Sequence, residues 1–137
     1  PTRIHFGRGV IDKYKDDMGD LGKKALSLKE LQDALESLKI DYVIFDEVEE
    51  NPSLETVEKA TSIGKKEKVD FVIGLGGGSP LDAAKAIAVF IKNPHINADN
   101  IFSHSNLQGL HIVAMPTTSG TGSEVTPYAI LTVHKQK

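Results

Sequence analysis

The chain has 137 residues, 39% of them hydrophobic and 26% charged, with a formal net charge of −3 and no cysteine. These values suit one compact globular domain that buries its own core. They exclude disulfides and thiolate metal sites, show no electrostatic footprint for nucleic acid, and leave no apolar run of bilayer length.

The absence of cysteine fits a reducing cytoplasm. The first six residues, Pro1 to Phe6, lack the apolar centre of a secretory leader. The chain does not begin with Met, which points to trimming or to a start inside a longer gene product. Short β-rich runs then alternate with amphipathic stretches. Thr2 to Phe6 reads as a strand and Gly9 to about Asp17 as a helix. Lys24-Ala25-Leu26 starts like a strand, and Ser27 to Lys39 reads as a helix with Leu28, Leu31, Leu35 and Leu38 on one face. Ser27 and Glu30 have the spacing of a capping box. Tyr42 to Phe45 is a predicted strand, and Ser53 to Lys68 a second helix with Leu54, Val57, Ala60 and Ile63 or Gly64 inward. Phe71 to Leu75 is a continuous apolar strand, Ser79 to Lys92 a third helix, and His111 to Met115 another buried strand. Such alternation predicts an α/β fold, a Rossmann-like parallel sheet flanked by helices.

One junction reads badly. Lys24-Ala25-Leu26-Ser27 passes from strand to helix cap with almost no strand and no loop, whereas such loops take about two to six residues. The economical expectation is a single domain over residues 1–137 that lacks loop residues between positions 26 and 27.

Strand Phe71–Leu75 leads into Gly76-Gly77-Gly78-Ser79-Pro80-Leu81-Asp82 and then into an alanine-rich helix. Glycines let the backbone turn freely and let a ligand approach the main chain. Ser79 has the composition of an N-cap, Pro80 suits the first helical position, and Asp82 completes a capping box. Free N–H groups and the helix dipole at such a start favour an anion. The run is neither a GxGxxG fingerprint nor a P-loop. The plain alternative is a tight strand-to-helix turn with no ligand. Asp82 would be repelled by a diphosphate, so it either caps the helix or accepts hydrogen bonds from a ribose or a carboxamide.

After strand His111–Met115 comes Pro116-Thr117-Thr118-Ser119-Gly120-Thr121-Gly122-Ser123-Glu124-Val125-Thr126-Pro127. It offers many neutral donors at the C-terminal end of a parallel strand, where open α/β sheets bind ligands. Loops of this composition are often mere linkers. This one lies between two apolar stretches expected to be buried, Val113–Met115 and Ala129–Thr132.

The segments GGGSPLDAAKA and PTTSGTGSEVTPYAILT together resemble the iron-containing, or group III, alcohol dehydrogenases. The likeness extends to Ile4-His5-Phe6-Gly7-Arg8-Gly9 and to Phe45-Asp46-Glu47-Val48 before Asn51-Pro52, and so covers the whole chain. It implies an N-terminal α/β domain for NAD or NADP, to be followed by an all-helical domain. Carried over by motif, Gly76, Gly77, Gly78 and Ser79 hold the pyrophosphate and Asp82 lies near the nicotinamide end. Thr117, Thr118, Thr121 and Thr126 contact the cofactor from the second loop, together with Ser119 and Tyr128.

The chemistry so implied is reversible hydride transfer between a primary alcohol or diol and the nicotinamide. Fe2+ (or Zn2+) acts as Lewis acid on the alcohol oxygen. The family's metal ligands, one Asp and three His, belong to the helical domain. The histidines here, His5, His95, His104, His111 and His134, show no helical pairing. No metal ligand and no catalytic residue is therefore assigned within this chain, which by itself is expected to bind cofactor weakly and turn nothing over. The stretch that would follow Leu26 meets the adenosine ribose in the family, so the choice between NAD and NADP is not legible. Expected partners are a small alcohol or aldehyde and a second copy of the chain, with no nucleic acid and no membrane. Two other readings share these residues: a fragment of a dehydroquinate-synthase-like lyase, and a non-catalytic nucleotide-binding module. The module should be covered on all sides, whereas a dehydrogenase portion should expose an apolar patch where the helical domain docks.

Overall fold

In the computed structural model of the chain, the described residues are 24–27, as backbone, and 31–134. The predicted strand at Thr2–Phe6 and helix at Gly9–Asp17 lie outside them. Four strands, β1 (Lys24–Ser27), β2 (Asp41–Ile44), β3 (Phe71–Gly76) and β4 (His111–Pro116), form one sheet in the order β2-β1-β3-β4. Every pairing is parallel. Helix α1 (Gln32–Ser37) links β1 to β2, α2 (Leu54–Lys66) links β2 to β3, and α3 (Gly78–Lys92) follows β3. A 3-10 turn at Ile101–Ser103 precedes β4.

The core has two faces because β3 alternates. Phe71 and Ile73 pack with Leu31, Leu35 and Ile40 on one side of the sheet. Val72 packs with Val57 and Ala60 of α2 and with Ala83, Ala84 and Ile87 of α3 on the other. A strand buried on both sides needs this unbroken apolarity. Gly74 brings α3 close: a Cβ there would lie 2.8 Å from the Ala84 Cβ.

Helix α2 starts as its sequence predicts. Ser53 is the N-cap, its Oγ accepting from the Thr56 N–H at 3.2 Å. Leu54, Val57, Ala60 and Gly64 are buried, and Ile63 packs at the edge of the same cluster.

Three expectations are corrected. Ser27 pairs with Ile44 inside β1 and does not cap a helix; α1 is the short Gln32–Ser37, entered at Leu31 without a side-chain cap. Strand pairing takes Ser27 before a helix can begin there, while Leu28 and Glu30 lie outside the described residues. Strand β4 is not fully buried: His111 and Ile112 are exposed and Val113 to Met115 half-buried. In the described sheet β4 has a neighbour only on its β3 side. The stretch Ala129–Thr132 is likewise open, with Ile130 at 76% exposure.

Candidate functional site

The order β2-β1-β3-β4 reverses direction between β1 and β3, and ligands of open α/β sheets settle beyond the strand ends at such a point. Strand β1 is short. Ala25 and Leu26 pair with Phe71 and Val72, so Gly74–Gly76 run on past its end. On their other side, Gly74, Leu75 and Gly76 pair with Ala114, Met115 and Pro116 of β4. The loops after β3 and β4 therefore leave the sheet side by side, and the Thr117 N–H donates to the Gly76 carbonyl at 2.8 Å.

Beyond that bond the two motifs face each other. A Cβ on Gly77 would lie 3.3 Å from Thr118 Oγ1. A Cβ on Gly78 would lie 3.4 Å from Thr121 Cγ2 and 3.5 Å from Ser123 Oγ. The missing side chains thus let the hydroxyl-bearing loop pack directly on the glycine turn, and the two loops together form the rim of the sheet's switch point. Gly76 has a φ of +140°, and a Cβ on it would meet the Pro80 ring at 2.8 Å. Gly77 has an ordinary φ of −80°, so its missing side chain serves space and not backbone geometry.

Helix α3 opens at this rim with 15 residues and no carboxylate in its first turn. Its N-cap is Gly77, without a side-chain cap, which corrects the capping box expected of Ser79 and Asp82. The helix starts one residue earlier than Ser79, and both side chains have other partners. Ser79 Oγ accepts from the Asn51 N–H at 3.2 Å, tying the glycine loop to the turn before α2. Asp82 is buried, and its Oδ2 accepts from the Ile130 N–H at 3.0 Å. Its Oδ1 lies 2.9 Å from Lys85 Nζ, as an ion pair and not as an aligned hydrogen bond. Burial pushes the Asp82 carboxyl up, but the Lys85 ammonium, the Ile130 N–H and the Ser123 hydroxyl outweigh it and hold the group below its usual range.

Lys85, which the sequence reading passed over, organises the second loop. Its Nζ donates to the carbonyls of Ser123 (3.0 Å), Thr126 (3.3 Å) and Tyr128. Thr126 and Tyr128 meet α3 through these backbone carbonyls, while the Tyr128 ring is 77% exposed. Thr118 and Thr121 stand beside Gly77 and Gly78, Thr117 meets the glycine turn through its backbone N–H, and Ser119 is exposed between them. The only hint of Lys85 was a lone cation three residues after Asp82 in a run of alanines, a spacing that puts both on one helix face.

Among the described residues no group of three His, Cys, Asp or Glu side chains is placed to hold a metal ion. No described helix is long and apolar enough to cross a membrane.

A parallel sheet with a glycine turn at its switch point defines an open α/β domain of the ligand-binding kind. The family profile of the iron-containing alcohol dehydrogenases matches residues 1–137, and the chain belongs to that oxidoreductase family. It is 32% identical over 151 residues to an NADPH-dependent butanol dehydrogenase of Clostridium saccharobutylicum, covering 98% of this chain and 38% of that protein. An iron-containing alcohol dehydrogenase structure from Thermotoga maritima superposes with a TM-score of 0.89 at 41% identity, over 97% of this chain and 41% of that one. Sulfoacetaldehyde reductase from Bifidobacterium kashiwanohense, in complex with NAD+, gives a TM-score of 0.73 at 30% identity, over 92% and 37%. The chain thus spans about two fifths of the length of these relatives.

Proposed function

We propose that this chain is the dinucleotide-binding portion of an alcohol dehydrogenase, and that NAD or NADP lies with its pyrophosphate in the crevice between Gly76–Ser79 and Thr117–Ser123. The observation that carries the reading is the close approach of the two loops at the switch point, where a Cβ on Gly77 would stand 3.3 Å from Thr118 Oγ1, so that backbone amides and hydroxyls are presented together. The α3 terminus supports it: the lack of a side-chain cap, a favourable dipole and no carboxylate in the first turn suit a diphosphate. Two of the related proteins carry a nicotinamide dinucleotide in their names, one as NADPH and one as NAD+.

Within this portion the work is binding and orientation. The Gly77 and Gly78 backbone accepts close approach of the diphosphate, and Thr117, Thr118, Thr121 and Ser119 offer hydroxyls to the rest of the dinucleotide. Thr126 and Tyr128 act at the far end of the same loop, with backbone carbonyls held on α3. Asp82 serves the cofactor indirectly, since both of its oxygens face Ile130 and Lys85. A bound nicotinamide supplies the hydride acceptor for a primary alcohol or diol. The Fe2+ or Zn2+ ligands of this reading, one Asp and three His by the family resemblance, would come from the helical domain of a longer polypeptide. The exposed Val125, Tyr128, Ile130 and Val133 suit cover by such polypeptide better than they suit a self-contained module.

The short β1 belongs to the same reading. The alignment to the butanol dehydrogenase runs over 151 residues, more than the 137 of this chain, so that relative carries residues within the matched region that have no counterpart here. We assign them to the junction expected to lack loop residues, between positions 26 and 27, close to the end of β1 at Ser27. A cytoplasmic enzyme, assembled as a dimer, completes the proposal. Titration of the 137-residue polypeptide with NADH and NADPH, followed by assay with primary alcohols, tests it. Saturable binding without turnover is expected; failure to bind either dinucleotide, or turnover by this polypeptide alone, contradicts it.

A further inference from the structure

We infer that the Lys85 ammonium is a built-in cation that shapes the 123–130 segment and, through it, the hydroxyl wall of the crevice. Four oxygens converge on Nζ: the carbonyls of Ser123, Thr126 and Tyr128, and Asp82 Oδ1. Three neutral carbonyls and one carboxylate are the oxygen set that a potassium or free ammonium ion takes from a protein. Here the charge arrives on a side chain with three donors and no acceptor, so every proton has an oxygen to meet. The Lys85 and Asp82 side chains are 13% and 10% exposed, so water competes little for these contacts.

The segment has little else to hold it. It forms no strand, and Val125, Thr126, Tyr128 and Ile130 are exposed, so apolar burial does not fix its path. Its anchors are Lys85 on three carbonyls, Asp82 on the Ile130 N–H, and the paired Thr132, whose N–H donates to the Pro52 carbonyl at 2.8 Å. Ser123 is the hinge between clamp and crevice: its carbonyl is on Lys85, and its Oγ stands 3.5 Å from the place of a Gly78 Cβ. Lys85 is thus a positioning residue, acting on the cofactor through Ser123 and the loop behind it. This role rests on the dinucleotide reading above, but the shape of the loop can be measured without it.

Lys85→Ala empties the ammonium position and leaves the four oxygens in place. In this variant backbone amides of 123–130, Ile130 above all, should exchange faster while those of Ala83–Phe90 keep their protection. Affinity for NADH and NADPH should fall about tenfold, as expected for loss of several charge-assisted contacts. Ammonium chloride should restore both properties in part, and tetramethylammonium chloride at equal ionic strength should not, because it is too large for the vacated space. Loss of packing alone would not produce that selectivity. Should Lys85→Ala leave the Asp82 charge too costly to bury, the paired variant Asp82→Asn, Lys85→Met removes both charges and keeps an acceptor for Ile130. It should show the same fast exchange with no response to ammonium. Unchanged exchange in both variants, or equal recovery with either salt, overturns the inference. If the wild-type protein binds neither dinucleotide, the functional reading fails by itself, and the exchange data with ammonium still decide the role of Lys85.

Discussion

A side chain at Gly76 would suffer twice, from a φ of +140° and from the Pro80 ring 2.8 Å away. Gly76→Ala should cost about 1–3 kcal/mol, measured by urea unfolding. Gly77 differs. With a φ of −80° its backbone accepts a side chain, and the exposed Thr118 hydroxyl 3.3 Å from the new methyl group can turn aside, so Gly77→Ala should leave stability within about 0.5 kcal/mol while weakening dinucleotide binding roughly tenfold. Equal losses of stability and affinity would mean that Gly77 is only a turn residue. Glu49 carries the clearest pH signature. Its carboxylate accepts from the Ser53 N–H (2.8 Å), the Ser53 hydroxyl (2.7 Å) and the Thr56 hydroxyl (2.9 Å). Desolvation raises its pKa, but these bonds together prevail and bring it from 4.5 down to about 2. A depressed carboxylate stabilises the fold fully above its unfolded value and loses that effect as pH falls through the folded one. The stability gap between wild type and Glu49→Gln should therefore be largest above pH 4.5 and close toward about pH 2. Glu49 is exposed, so solvent screening keeps the gap small.

Helix α3 and strand β3 are bound by the absence of side chains. A methyl group on Gly74 would stand 2.8 Å from Ala84 Cβ and 3.3 Å from Leu81 Cδ2. Gly74→Ala should cost about 1–3 kcal/mol by overpacking and should shift α3, and so lower dinucleotide affinity as well. A second test lies in α2, where Ser53→Ala removes the cap on Thr56 and should cost about 1 kcal/mol in urea unfolding. These two helices and β3 were legible in the sequence because their apolar spacing, cap and small residues all point the same way. The start of α1 was not. Ser27 and Glu30 have capping-box spacing, but the Ser27 backbone is paired with Ile44 in β1 and the helix is entered only at Leu31. Ser79 misled for a related reason: its Oγ serves Asn51, a turn 28 residues earlier that no local pattern reveals.

The molecule as a whole shows cover on some faces and bare apolar residues on others. Apolar composition marks a segment for burial but does not say what buries it, so His111–Met115 and Ala129–Thr132 read as interior and are partly open. Tyr128 is 77%, Ile130 76%, Val125 53% and Val133 50% exposed. If further polypeptide covers them, Ile130→Ser with Val133→Ser should leave the unfolding of this chain within about 0.5 kcal/mol and improve its solubility. A larger loss would mean that the patch already supports the domain. The parallel sheet could be expected from the alternation of elements, and the meeting of the two loops from the resemblance their motifs carry; the Lys85 clamp could not, because it joins α3 to carbonyls about 40 residues later, and backbone acceptors leave no trace in side-chain pattern.

The most direct test of the dinucleotide crevice is backbone amide mapping of the protein with and without NADH and NADPH. Protection or shift changes concentrated at Gly76–Ser79 and Thr117–Ser123 are the predicted result. Binding that leaves both loops unchanged and perturbs another face, such as Asp41–Val43, would contradict the account.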